Sequence, residues 1–273
     1  MAAAKTVTRK VTTKTKTTTK AKATKASATK TPTKASATKA TKPAKAPALA
    51  RFTGFPREAP RFFHELAIEM NREWFAAHKA EYEAMWVAPM TALLAELAAA
   101  LPRSYPGATL APPKLMRIHR DVRFAADKTP YKTHIAGIIS LGGGAATESA
   151  APLYLHLGLD EYCGAGLYGF APPQLERWRK AIAADKTGAE ITRLLEAARA
   201  DGLALGAQQV LSRTPPQLAP DHPRAELLRH KGCVLGFPEI PAGRIHEAAF
   251  RDWLLTNAQR AAPVVRWIMR HVA

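Results

Sequence analysis

Two cysteines in 273 residues, Cys163 and Cys233, stand seventy positions apart with no CxxC partner. That spacing excludes a compact thiol redox or zinc motif and leaves buried free thiols as the expected state. No apolar run of the kind that opens a secretory signal lies in the first fifty residues. The most hydrophobic later stretch, 85–101, is interrupted by Pro89 and Glu96, so no membrane span and no membrane partner are expected. The nine histidines form no HExxH or other compact ligand set, and a Walker loop, a dinucleotide fingerprint and a G-x-S-x-G elbow are all missing. On these grounds no metal site is expected, and no cofactor is indicated.

Acidic residues are also missing from residues 1–50, which hold thirteen of the forty Lys and Arg. Residues 51–273 therefore carry 27 basic and 22 acidic side chains, and most of the formal charge of +18 belongs to the N-terminal region. That region is built from Lys, Thr, Ala, Ser and Pro, with KASATK at 25–30 and again at 34–39. It has nothing to bury against chain entropy, so a disordered tail is expected over 1–50. A Lys-rich, acid-free segment attracts phosphate backbones through counterion release, which makes non-specific nucleic acid a candidate partner. It holds no aromatic residue to stack on a base. A solubilising extension and an organellar transit peptide remain alternatives. The expected location is cytoplasmic, with nucleoid association as the variant that a DNA-binding tail implies.

The remainder, 51–273, reads as a single α+β domain. Apolar residues at helical spacing (Phe62, Phe63, Leu66, Met70, then Trp74, Phe75, Tyr82, Met85, Trp86, Leu93, Leu94, Leu97) predict two or three helices, with breaks near Asn71 and Pro89. After Pro112 and Pro113 the period changes to two, and strands are predicted over 114–124, 133–141, 153–160 and 162–170. Their short separations require antiparallel neighbours. Helices follow at 173–184 and 189–200, a strand near 209–213, a short helix over 222–231, a strand at 233–237 and a last helix over 246–270 with a break at Pro263. The expected architecture is an antiparallel sheet with helices packed mainly on one face.

Alternation then divides the sheet into two faces. Met116, Ile118, Val122 and Phe124 oppose Arg117, His119, Asp121 and Arg123. Leu153, Leu155, Leu157 and Leu159 oppose Tyr154, His156, Gly158 and Asp160, and Cys163, Ala165 and Leu167 oppose Tyr162, Gly164, Gly166 and Tyr168. One face is predicted to be apolar, the other a Tyr, His and Arg surface on which Gly164 and Gly166 admit a close approach. Arg120 falls on the apolar side and needs a carboxylate partner there.

The segment RIHRDVRFAADKTPYKTH, 117–134, concentrates the charge. Arg117, Arg120, Arg123, Lys128 and Lys132 are candidate anchors for a phosphate or carboxylate, with Tyr131, Gly164, Gly166, Tyr168 and Arg224 as further ligand contacts. His119, Asp121 and His222 are the candidates for proton transfer. The competing reading is an internal ion-pair network in which Asp121 pairs with Arg123 or Arg120 and Asp127 caps a turn shaped by Thr129 and Pro130. In DHPRAELLRHK, Asp221 suits a helix N-cap and Pro223 the first turn, while His222, Glu226 and Arg229 or His230 share a face. NREWF, 71–75, reads as a helix junction with Trp74 and Phe75 in the core.

Five segments, GFPRE at 54–58, NREWF, RIHRDVRFAADKTPYKTH, GAGLY at 164–168 and DHPRAELLRHK at 221–231, in this order and spacing, resemble the bacterial and fungal family catalogued as domain of unknown function 2461. The similarity runs from about Arg51 to Trp267, and its most specific part is R-x-x-R-D-x-R-F-x-x-D-K-x-P-Y-K-T. Met70 and Ala125 depart from the usual pattern, and the tail lies outside it. The resemblance implies no established reaction. The residues themselves point to a small anionic or phosphorylated ligand on the basic polar face, with hydrolysis or phosphoryl-group chemistry as the reaction class if the ligand is turned over. A nucleic-acid module using tail and face, and a purely structural or interaction protein, are the alternatives.

Overall fold

The structure is a computed structural model that describes residues 51–142, 150–215 and 221–273. The expectation of a disordered tail over 1–50 falls outside the described residues.

The aromatic-rich start folds into helices because its large side chains recur on one face. Helix α1 (Ala59–Glu69) ends where Met70 turns left-handed at φ 39° and its N–H closes on the Leu66 carbonyl. Asn71 then starts α2 (Arg72–Tyr82), its side-chain oxygen accepting the Trp74 N–H at 2.8 Å. Asn71→Ala should therefore lower stability by about 1 kcal/mol, a fall of roughly 2–4 °C in thermal unfolding for a domain of this size. An unchanged melting curve would mean that the cap adds nothing.

Pro89 does not break the chain into separate helices. A π turn (Glu83–Val87), in which the Ala88 N–H reaches back to the Glu83 carbonyl, leads directly into α3 (Ala88–Ala100) with the proline at its first turn. That widening is where a missing N–H is tolerated. By length and composition alone, the continuous run Arg72–Ser104 could cross a membrane. In the fold its Trp86, Met90, Leu93, Leu94 and Leu97 are buried in the shared core.

Among the described residues six antiparallel strands follow: β1 (Lys114–Leu115), β2 (His134–Ile139), β3 (Ala151–Gly158), β4 (Tyr162–Leu167), β5 (Ala204–Gly206) and β6 (Cys233–Gly236). Their order across the sheet is β1-β2-β3-β4-β6-β5. Ile135 and Ile139 of β2 pair with Leu157 and Leu153 of β3, and Leu155 pairs with Cys163. This sets the apolar side chains of three strands on one face, against α3 and the final helix α7 (Ala249–His271). Both thiols are free and buried there, and burial pushes the Cys233 thiol up to about 12.

Several boundaries differ from the sequence reading. The predicted strand over 114–124 pairs as a strand only at its first two residues. The chain then closes on itself, with Arg120 N–H to the Pro130 carbonyl at 2.9 Å and Lys132 N–H to the Ile118 carbonyl at 2.9 Å. Ile118 is buried, whereas Phe124, placed by alternation on the same apolar face, is 94% exposed. The strand sought near 209–213 lies at 204–206, and Val210 makes only an isolated bridge to His230. Helices α4 (Pro172–Ala183) and α5 (Asp185–Ala200) stand as expected. The helix at 222–231 shrinks to α6 (Ala225–Leu228), whose N-cap is Arg224 and not Asp221. Pro263 sits inside α7 without ending it.

Candidate functional site

On the face of the sheet away from α3 and α7, two histidines converge on one carboxylate. In the β2–β3 register His134 stands opposite Gly158, and Ala136 opposite His156. Both imidazoles therefore project from the same face on neighbouring strands and stack at 4.5 Å between ring centres. Asp160, just past the end of β3, reaches both: His134 Nδ1 lies 2.8 Å from one carboxylate oxygen and His156 Nε2 lies 3.1 Å from the other. Gly158 makes this approach possible. A Cβ there would fall 2.2 Å from the Thr133 carbonyl oxygen and 2.8 Å from the His134 Cβ.

Two tyrosines flank the cluster. The Tyr154 hydroxyl lies 3.2 Å from His156 Nδ1, and the Tyr162 ring lies beside His156 at 5.9 Å between centres. With Nε2–H of His156 donating to Asp160, its Nδ1 accepts from Tyr154, an arrangement that suits a neutral imidazole. Burial depresses the His156 pKa, the neighbouring His134 depresses it further, and Asp160 opposes both. For Asp160 partial burial pushes upward, but the hydrogen bond from His134 and the charges on both histidines outweigh it, so its pKa is lowered. Burial raises the Tyr162 hydroxyl to about 12 and also raises that of Tyr154.

Cations crowd beside this cluster. Lys132 is half-buried, and its pKa is lowered by that burial and by the charges of Arg117 and Arg120. The Lys132 charge in turn reaches His156. Among the described residues neither Lys132 nor Arg117 has a carboxylate within ion-pair distance.

The other residues singled out from sequence divide into groups with separate roles. Arg123 and Asp121 form a bidentate pair with each other at 2.9 and 2.7 Å on the surface of the 117–132 loop. Arg120 pairs with Asp127 and donates to the Thr129 hydroxyl at 2.5 Å, so the carboxylate it needs sits on the loop and not in an apolar interior. Lys128 donates to the Val122 carbonyl at 2.8 Å. These contacts match the internal network weighed as the competing reading. His119 packs its ring edge-on to Phe75 and tilted against Tyr131, and Tyr131 is itself buried, stacked on Phe75 at 4.5 Å.

His222 and Arg224 belong to a different place. The Arg224 guanidinium donates to the carbonyls of Ile182, Ala183 and Ala184 at the end of α4, while His222 Nδ1 accepts the Arg224 N–H at 3.0 Å. The surface over Gly164 is taken: a Cβ there would meet the Tyr162 hydroxyl at 2.7 Å. Gly166 is needed for close packing against β6, with the Cys233 carbonyl oxygen 2.2 Å from where its Cβ would be. Tyr168 is exposed, and its charge would act on both Tyr154 and Tyr162. Of the residues expected from sequence, Lys132 is the one whose charge reaches the His134–His156–Asp160 cluster, with Arg117 and Arg120 adjoining it through their charges on Lys132 and Tyr168 through its effect on the flanking Tyr154 and Tyr162.

What fold and site define is an α+β domain carrying a His–His–Asp cluster on the polar face of an antiparallel sheet, with the half-buried Lys132 beside it. A family model described as a conserved hypothetical protein, DUF2461, matches residues 58–267, and the chain belongs to that family. No curated protein and no solved structure matches it.

Proposed function

We propose that the protein binds a small anionic or phosphorylated ligand on the polar sheet face, between Lys132 and Arg117 and the His134–His156–Asp160 cluster. The observation that carries this reading is Lys132. A half-buried ammonium crowded by two guanidiniums, with no carboxylate in ion-pair reach among the described residues, is held at an energetic cost that a bound anion relieves. Arg117 adds a planar fork and Lys132 a point charge, the usual complement for phosphate or carboxylate. Hydrolysis or phosphoryl-group transfer is the reaction class such a face would support, with its chemistry located at the His–Asp cluster in place of His119, Asp121 and His222.

Thermal unfolding in the presence of inorganic phosphate, sugar phosphates, nucleotides and organic acids tests this. A true ligand at a hundredfold excess over its dissociation constant adds about 2.7 kcal/mol, or roughly 5–10 °C here. Lys132→Met should abolish most of that shift while leaving the unliganded melting temperature equal or higher, because it removes a crowded charge. No shift with any anion would overturn the reading. A shift produced by oligonucleotides alone would also overturn it, in favour of a nucleic-acid module.

A further inference from the structure

We propose that His134, His156 and Asp160 are the protein ligands of a divalent transition-metal ion. The three donor atoms, one from each residue, all lie within 4.8 Å of one another, and each imidazole already has a ring nitrogen beside one oxygen of the Asp160 carboxylate, at 2.8 Å for His134 and 3.1 Å for His156. An ion that binds nitrogen and oxygen donors at about 2.0–2.2 Å places neighbouring donors about 3 Å apart.

Three further features favour a metal over an isolated hydrogen-bonded trio. First, Asp160 is 59% exposed, and an ion pair so open to water adds little to stability, so holding the fold is a poor reason for two histidines to meet there. Second, His156 has an outer partner for the nitrogen turned away from the ion. When Nε2 binds metal, Nδ1 carries the proton and donates to the Tyr154 oxygen at 3.2 Å; without metal the same hydroxyl donates. Third, the cluster depends on Gly158, since any Cβ at that position would drive His134 away from β3.

Two imidazoles and one carboxylate select borderline ions such as Zn²⁺, Co²⁺ or Fe²⁺ over Ca²⁺ or Mg²⁺, which prefer all-oxygen shells. Three protein ligands also leave coordination positions free, as in catalytic sites and not closed structural ones. The exposed side of Asp160 and the nearby Lys132 mark where an exchangeable ligand would enter. There the metal deepens the anion reading, because an anion could bridge the ion and Lys132, but the ligand set stands on its own geometry.

The test uses the full, untagged chain, whose residues 1–50 contain no His, Cys, Asp or Glu. After chelator treatment and dialysis, Co²⁺ is titrated with no phosphate present, following visible absorption, and Zn²⁺ by competition calorimetry. One ion per chain is expected. His156→Gln, His134→Asn and Asp160→Asn should each weaken binding by more than the ~10–100-fold typical of a lost outer partner, and Tyr154→Phe should fall within that range. Circular dichroism and melting of each metal-free variant separate a lost ligand from a lost fold. Absence of a one-to-one site, or a site indifferent to His156→Gln and Asp160→Asn in folded protein, would overturn the proposal. Phosphate-induced stabilisation that survives those substitutions but fails in Lys132→Met would overturn the metal bridge to the anion and leave the anion reading intact.

Discussion

Trp86→Ala should cost about 4–6 kcal/mol, a large share of the total stability of about 5–15 kcal/mol that domains possess. Trp86 is fully buried in the π turn between α2 and α3, its ring 4.9 Å from that of Phe63 and 5.2 Å from that of Phe55. Truncating a buried Trp leaves a cavity worth about 3–5 kcal/mol. Its indole N–H also donates to the Ala59 carbonyl at 3.0 Å, tying the turn to the start of α1, and that bond contributes about 1 kcal/mol. Urea denaturation should show the loss directly, and melting should fall by roughly 8–24 °C. Trp86→Phe keeps a ring against Phe55 and Phe63 and should cost no more than about half as much. A loss for the alanine variant under about 2 kcal/mol would show that the helices hold together without this anchor.

Gly166→Ala is expected to cost about 2–5 kcal/mol, from two separate causes. The residue has φ +138°, a conformation that side chains resist, and its Cβ would sit 2.2 Å from the Cys233 carbonyl oxygen and 2.8 Å from the Val234 Cα. Neither obstacle is the tip of a flexible side chain, so β6 itself would have to move. Because β4 lies between β3 and β6, the damage should appear as faster amide exchange in β5 and β6. Gly243→Ala is the control. It has φ +74° with nothing within 4 Å of the new Cβ, so only conformational strain of about 1 kcal/mol is added. Equal losses at the two positions would refute the steric account.

The half-buried strands were legible in sequence because their alternation is strict: Leu153, Leu155 and Leu157 are all fully buried, with polar side chains between them. The same pattern misled at 116–124. There the alternation of apolar and charged residues is satisfied by a loop whose pairs are local, Asp121 with Arg123 and Arg120 with Asp127, so no sheet neighbour is required. Strand β5, three residues long, is too short to leave a periodic mark. In the sequence Pro89 and Pro263 look like breaks because a proline's cost is local, whereas what offsets it, a π turn in one case and a long buried helix in the other, is not.

The candidate site was half visible. Tyr154, His156, Gly158 and Asp160 were placed on one wet face, and the H-x-G-x-D run at 156–160 is its trace in the sequence. What could not be read was His134, which meets the cluster only through the β2–β3 register, twenty-two positions away from His156. Metal motifs defined by spacing along one helix miss ligand sets assembled across two strands.

Helix α7 packs against β3 and β4, its Phe250, Leu254, Ala258, Ala261 and Val265 are buried, and it comes after every strand of the sheet in the chain. During synthesis β2 follows its cover α3 out of the ribosome, whereas β3 and β4 leave it before α7 does. The leucine rows of β3 and the apolar row of β4 must wait uncovered until residues 249–271 follow, a span in which unpaired sheet surface is prone to stick to other chains. The order in which this chain is made therefore assigns its greatest risk of aggregation to the interval between the emergence of β4 and that of its final helix.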